Sequence, residues 1–436
     1  MTAETIQFVV ILGSLFFFLA VGLWVGVALL LTGGLGLVLF ADTNTGYLFA
    51  TVTWSTLANW TLTALPLFVW MGEILFRTRL SSDLFRGLKP FVQRLPGRLL
   101  HVNVFACGIF AAVSGSSAAT TATIGRMTLP ELARNGYDER LAIGSLAGSG
   151  TLGLLIPPSI MMIVYGVAAQ VSINRLFIAG ILPGFMLMAL FSTYIAIRSL
   201  LSGEDATTGG KDDETDKISK LKALSLLAPT TLLIGFVIGS IYGGFATATE
   251  AAAVGVFGAL IIAALSGALT WESFLQSING ALHTTAMIGL ILIGAAFLTK
   301  AMSFTGLPAA ITSYVVALHA SPTLFLVLMT LVFIVLGFFL DGISIIVLTS
   351  SVILPAVVQL GIDPIWFGIY LIIVVEMAQI TPPLGINLFV IQGMTGHDIF
   401  TITRMTLPFF LLMLVAIVLL ALFPGIATWL VDLKYN

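Results

Sequence analysis

Two proline pairs, each set in the middle of a long apolar run, restrict this chain more than any other feature. Pro157-Pro158 interrupts the run over residues 141–171, and Pro382-Pro383 interrupts the run over residues 365–392. Proline has no backbone N–H and its ring clashes with the carbonyl four residues back, so two in succession break a helix. Hydrocarbon tolerates the freed backbone groups only where protein covers them or they line a polar cavity. Runs this long and apolar belong in a bilayer, as the composition requires. The chain is 58% hydrophobic and 9% charged, against roughly 25% charged in a soluble domain. The continuous runs predict helices rather than the short alternating segments of a membrane β-barrel. A net charge of −2 over 436 residues implies no nucleic-acid partner. The single Cys107 rules out an intrachain disulfide and reads as a small buried hydrophobe. The N-terminus lacks the basic flank of a secretory signal, so the first apolar run is expected to be retained.

Charge sets the expected topology. Residues 6–40 are almost wholly apolar and, at about 1.5 Å per residue, longer than a hydrocarbon core of about 30 Å. They form either one strongly tilted helix or two short crossings broken near Gly22. Residues 51–76 read as the next span. Arg77, Arg79, Arg86, Lys89, Arg94 and Arg98 follow in one segment, which the positive-inside rule assigns to the cytoplasm. Residues 99–130 then return to a second basic loop carrying Arg126, Arg134 and Arg140, with a Gly/Ser tip between. That pattern predicts a re-entrant helical hairpin. The broken span 141–171 crosses outward, 176–201 returns, and the polar stretch 202–222 is expected to be a cytoplasmic linker. Spans at 224–242, 250–269 and 284–302 follow. Between Ala301 and Thr403 there is no Lys or Arg, as expected of external loops. A second hairpin over 323–355 and the second broken span 365–392 fall there, and 405–430 is the last span.

The halves 1–201 and 223–436 align without a gap at an offset of 225 residues: Leu129-Pro130 on Leu354-Pro355, Gly136 on Gly361, Asp138 on Asp363, Pro157-Pro158 on Pro382-Pro383, and Leu182-Pro183 on Leu407-Pro408. Charge places the first hairpin's ends inside and the second's outside. The expected fold is therefore an all-α polytopic membrane protein of two inverted-topology repeats. Transporters of that architecture place substrate and ion sites near the midplane, among broken helices.

Candidate site residues follow from what such breaks offer. Freed carbonyls and hydroxyls can ligate sodium without buried charge. In the first half Ser114, Gly115, Ser116 and Ser117 would face Gly150, Thr151 and the carbonyls before Pro157. In the second, Asp341, Gly342 and Ser344 would face Gln379, Thr381 and the carbonyls before Pro382. Against this stands the plainer reading, that small residues only let helices approach closely; two matched tips and two matched breaks favour the sites. Asp341 lies deep in an apolar run, where an acid is functional by default, as a sodium ligand, a substrate sensor or a protonated structural group. Ser116, Thr120, Asp341 and Asn387 are substrate candidates. Arg126 joins them because a guanidinium binds carboxylates bidentately, although topology alone also explains it. Glu376 sits one turn before the second break. Glu73 and Glu250, near span ends, read as salt-bridged or snorkelling. His101, His283, His319 and His397 show no metal-ligand spacing.

The stretches SGSSAATTATIGRMTLPEL, LIPPSIMMIVYG, YGGFATATEAAA and ITPPLGINLFVIQG resemble the large membrane subunit of the tripartite ATP-independent periplasmic (TRAP) transporters, with the likeness covering essentially the whole chain. That family often has proline where this chain has Ala248, and again near Ser350. The resemblance implies a sodium-coupled importer of organic acids in a bacterial inner membrane, with no ATP hydrolysis. It implies an elevator motion of the two hairpins and two broken helices. It also implies two partners, a small four-helix membrane subunit and a periplasmic substrate-binding protein. No cofactor beyond Na+ is expected. A self-sufficient sodium/dicarboxylate carrier and a passive channel are the competing transport readings. An intramembrane hydrolase using Ser116 or Ser149 is disfavoured, since no histidine lies in either broken segment.

Overall fold

The computed structural model describes residues 3–41, 43–201, 219–306, 321–338, 340–383 and 385–435, and every regular element within them is helical. Most of the expected linker, with Lys211 and Lys217, and also His319, lie outside the described residues.

Residues 6–40 resolve into α1 (Ala3–Ala20) and α2 (Val25–Phe40). Gly22 turns the chain between them in the left-handed region (φ 86°), which glycine adopts at no steric cost. Gly36 lies beside Ile11, so the two form an antiparallel hairpin. The expected single span over 51–76 is instead two pieces. α3 (Thr45–Leu57) ends at Ala58, and a 3-10 turn leads into α4 (Ala64–Phe76). Asn59 causes the break: its side-chain oxygen accepts the Thr61 N–H at 2.9 Å, a local alternative to the helical bond. α5 (Leu80–Val92) carries the basic segment and buries Leu80, Leu84, Phe85, Leu88 and Val92.

The first hairpin is α6 (Leu100–Ser114) and α7 (Ser117–Arg134). The first broken span is α8 (Glu139–Gly150), the single turn α9 (Leu152–Leu155) and α10 (Ile160–Ala168), with a 45° bend before α10. α11 (Ile173–Leu201) closes the first half. The second half opens with α12 (Lys220–Tyr242), α13 (Ala248–Leu265) and α14 (Trp271–Thr305). α14 begins well before the expected residue 284, because Thr270 and Ser273 cap each other's backbone and start the helix early.

The second hairpin is α15 (Pro322–Leu336) and α16 (Gly342–Gln359). α16 bends by 59° between Gly342–Ser350 and Val352–Gln359, four residues before Pro355, where a proline ring displaces the helical carbonyl. The second broken span is α17 (Pro364–Ala378) and α18 (Ile386–Thr395). The expected last span divides into α19 (Ile399–Leu422) and α20 (Gly425–Tyr435) at Phe423-Pro424. Among the described residues five helices are long and apolar enough to cross a bilayer, seven if each bent pair counts as one span.

The repeat is visible in backbone detail. Gly136 and Gly361 turn with φ 71° and 72°. Asp138 caps α8 and Asp363 caps α17, each carboxylate accepting a backbone N–H two residues on, at 2.9 and 2.7 Å. Ser116 caps α7 and Asp341, its counterpart at the 225-residue offset, caps α16. Both proline pairs contain a cis bond.

Close packing of small residues joins the elements. A Cβ on Gly294 of α14 would stand 2.5 Å from the Gly26 carbonyl oxygen of α2, and one on Gly144 of α8 would stand 2.4 Å from the Met405 carbonyl oxygen of α19. Such residues let helix backbones approach where side chains would hold them apart. Tyr165 donates to the Pro364 carbonyl at 2.6 Å, tying the first broken span to the second. Glu73 pairs with Arg77 one turn on, as expected. Among the described residues Glu250 forms no salt bridge; it closes a capping box with Thr247, a role its place at the third position of α13 explains. Cys107 is buried. His101 contacts the Pro96 carbonyl, His283 the Asn279 carbonyl and His397 the Glu139 carboxylate.

Candidate functional site

At the first tip, Ser114 ends α6, Gly115 reverses the chain in the left-handed region (φ 56°), and Ser116 caps α7 by accepting the Ala119 N–H at 3.3 Å. The Ser114 and Thr120 hydroxyls meet at 2.7 Å, and Thr120 also donates to the Ser116 carbonyl at 2.7 Å. Thr120, fully buried, therefore staples the tip internally. Ser117 points the other way and donates to the Gly150 carbonyl at 3.1 Å.

That carbonyl stands free because the helix stops supplying it a partner. α8 ends at Gly150, and the next helical turn runs into Pro157-Pro158. Glycine at 150 and 153 is a packing requirement. A Cβ on Gly150 would lie 1.9 Å from Thr121 Oγ1, and one on Gly153 would lie 2.6 Å from the Ser116 carbonyl oxygen. Thr151 turns away, donating to Gly148 at 2.6 Å, so its hydroxyl is not at the tip. Pro157 is buried beneath the break.

At the second tip the Asp341 carboxylate caps α16, accepting from Ile343 N at 3.1 Å and Ser344 N at 3.4 Å, while the Ser344 hydroxyl donates to its other oxygen. Both carboxyl oxygens are thus engaged as a cap on the helix N-terminus. Gly342 approaches Val375 and Gln379, and also Met161 of the first broken span. Asp341 and Gln379 line a cavity of about 170 Å³ with Gly337, Leu340, Ala378 and Ile386. Thr381 donates to the Ala378 carbonyl at 3.0 Å, and Pro382 follows it half-buried.

The two halves meet through Asn387. It is fully buried, and its side-chain nitrogen donates to Ser117 Oγ at 2.7 Å, which places it inside the junction of the repeats. Arg126 is exposed, about 13 Å along α7 from Ser117 at 1.5 Å per residue, and is not brought to either tip.

One member of this junction was given no role by its sequence position. Glu376 is 1% exposed, neither carboxyl oxygen is hydrogen-bonded, and the group stands beside Ser117. Ser117 has a single proton, which the geometry gives to Gly150. The only sequence signal was an acid in a run otherwise without charge.

Two hairpin tips seated on two interrupted helices, within an all-helical chain of long apolar spans, define a multi-pass membrane protein with a bipartite polar centre. Residues 12–426 match the family model of the tripartite ATP-independent periplasmic transporter, DctM component. The C4-dicarboxylate TRAP transporter large permease protein DctM of Vibrio cholerae is 30% identical over 96% of this chain and 97% of its own. That of Pseudomonas aeruginosa is 32% identical over 91% of this chain and 92% of its own. Other relatives are named for isethionate, sialic acid and ectoine. The chain belongs to the DctM family of TRAP transporter large permease subunits. Among solved structures, the YdaH transporter of Alcanivorax borkumensis shares the fold, with a TM-score of 0.64 at 18% identity, over 87% of this chain and 88% of that one.

Proposed function

We propose that this permease imports an organic acid across the bacterial inner membrane by sodium coupling, taking substrate from a periplasmic binding protein and working beside a small membrane subunit. The observation that carries the reading is the pairing of a hydroxyl-rich tip with a freed carbonyl, Ser117 on Gly150, opposite an acid-bearing tip over a small cavity, Asp341 beside Gln379. Neutral oxygens at broken helices are a usual sodium environment in transporters, and helix N-termini receive anionic substrate groups. Ser114, Gly115, Ser116, Ser117 and Gly150 would serve one ion, and Asp341, Gly342, Ser344, Gln379 and Thr381 the other. Among the half-buried members, Ser116 and Asp341 would be the ones to meet substrate. The names of relatives support a small organic acid, with C4-dicarboxylates and sialic acid among their substrates. An elevator motion of the block formed by both hairpins and both broken spans, with its halves 1–201 and 223–436 inverted in the membrane, would carry the site across.

The test is uptake into liposomes holding the permease and its small subunit, with the binding protein outside. Accumulation is expected under an inward sodium gradient and not when potassium replaces sodium. Equal accumulation with potassium contradicts the coupling, and full activity without a binding protein selects a self-sufficient carrier.

A further inference from the structure

At the junction of the halves several buried polar atoms lack partners, the acid's two oxygens among them. Asn387 spends one side-chain N–H on Ser117, and Ser117 spends its proton on Gly150. What remains is a surplus of acceptors: the Asn387 side-chain oxygen and both Glu376 oxygens are buried without a donor. Thr121, one turn along α7 from Ser117 and packed on Gly150, has an unpartnered buried hydroxyl oxygen as well. A buried carboxylate without a positive partner is strongly disfavoured. In a membrane segment such a group is paired or functional.

Among the described residues Arg77 pairs with Glu73 and His397 with Glu139, and neither pair involves Glu376. We propose that Glu376, contributed by the second half, is the anionic ligand of a cation seated against Ser117 of the first half and the Asn387 side-chain oxygen between them. This rests on the sodium-coupled reading and deepens it, since the ion is then the coupling sodium. Its charge is met across the junction, so its binding locks the first hairpin tip onto the second broken span. The counterpart of Glu376 in the first half is Thr151, so the arrangement is not duplicated by the repeat. Only one of the two half-sites gains a carboxylate in this way.

The test compares Glu376→Gln with the parent in two readouts: the sodium concentration giving half-maximal uptake in the reconstituted complex, and the sodium-against-potassium shift in the unfolding midpoint of the purified permease. Glu376→Gln is expected to raise half-saturation tenfold or more and to remove most of the sodium-specific stabilisation. Adding Asn387→Asp to it restores a carboxylate beside Ser117 and is expected to bring half-saturation back to within about threefold of the parent, a rescue that a purely structural role would not give. Sodium dependence unchanged in Glu376→Gln means the acid is buried neutral and overturns the proposal. If Glu376→Gln does not fold, Asn387→Asp alone decides: a fall in half-saturation of threefold or more supports the site, and no change or a rise contradicts it. A parent protein indifferent to sodium in both readouts instead overturns the coupling on which the site depends.

Discussion

A single methyl group at position 150 would fall 1.9 Å from Thr121 Oγ1, and this contact gives the first tip its sharpest residue-scale test. Overpacking of this kind typically costs about 1–3 kcal/mol. Gly150→Ala is expected to lower the unfolding midpoint and the uptake rate, and Thr121→Ala in the same chain is expected to recover most of both, since the clash is with one side-chain atom. At position 153 the obstacle is the Ser116 backbone oxygen, at 2.6 Å. Gly153→Ala should therefore be at least as harmful and not be rescued by any change at residue 116. Thermal melts of the purified single and double variants check both statements. Ser117→Ala removes a hydroxyl that both accepts and donates. Buried groups left unpaired cost about 1–3 kcal/mol each, so this variant is expected to lose stability as well as sodium affinity.

Helix packing provides the next set of tests. Gly144 and Gly255 both sit at helix contacts, but a Cβ on the first would meet the Met405 backbone oxygen at 2.4 Å and one on the second only the flexible Met71 sulfur at 2.6 Å. Gly144→Ala should separate α8 from α19 and lower the unfolding midpoint measurably, whereas Gly255→Ala should leave it nearly unchanged, because a methionine side chain adapts. At the start of α19 the exposed Asp398 carboxylate accepts from Thr401 N at 2.9 Å and Thr401 Oγ1 at 2.6 Å. These bonds, the side-chain one foremost, hold its pKa below the ordinary value. A depressed acid contributes stability that is present above its unfolded pKa and lost as pH falls through the folded one. The difference in midpoint between the parent and Asp398→Ala should therefore be constant near neutrality and shrink as the pH drops below about 4.

Across the whole molecule, what could be read from the sequence was what local chemistry announces. Proline pairs marked both broken spans, Gly115 and Asp341 marked the hairpin tips, and the constant register of Gly136 with Gly361 and Asp138 with Asp363 reappears as matching turns and caps. Breaks without a strong marker were missed. Asn59 divides α3 from α4 within an apolar run that contains no proline or glycine at that point, and the early start of α14 depends on a reciprocal cap of two unremarkable residues. The place of Glu376 was not legible, because its neighbour Ser117 lies in the other half of the chain. The internal roles of Thr120 and Thr151 and the distance of Arg126 from the tips likewise depend on side-chain direction, which spacing alone does not give.

Under the proposed function both hairpin tips hold sodium, with Ser117 at the first and Asp341 at the second. The most direct test is the sodium dependence of uptake in liposomes carrying both membrane subunits and supplied with the binding protein, measured for the parent, Ser117→Ala and Asp341→Asn. Each substitution is expected to raise the half-saturating sodium concentration severalfold or more. Unchanged sodium dependence in both would contradict the account.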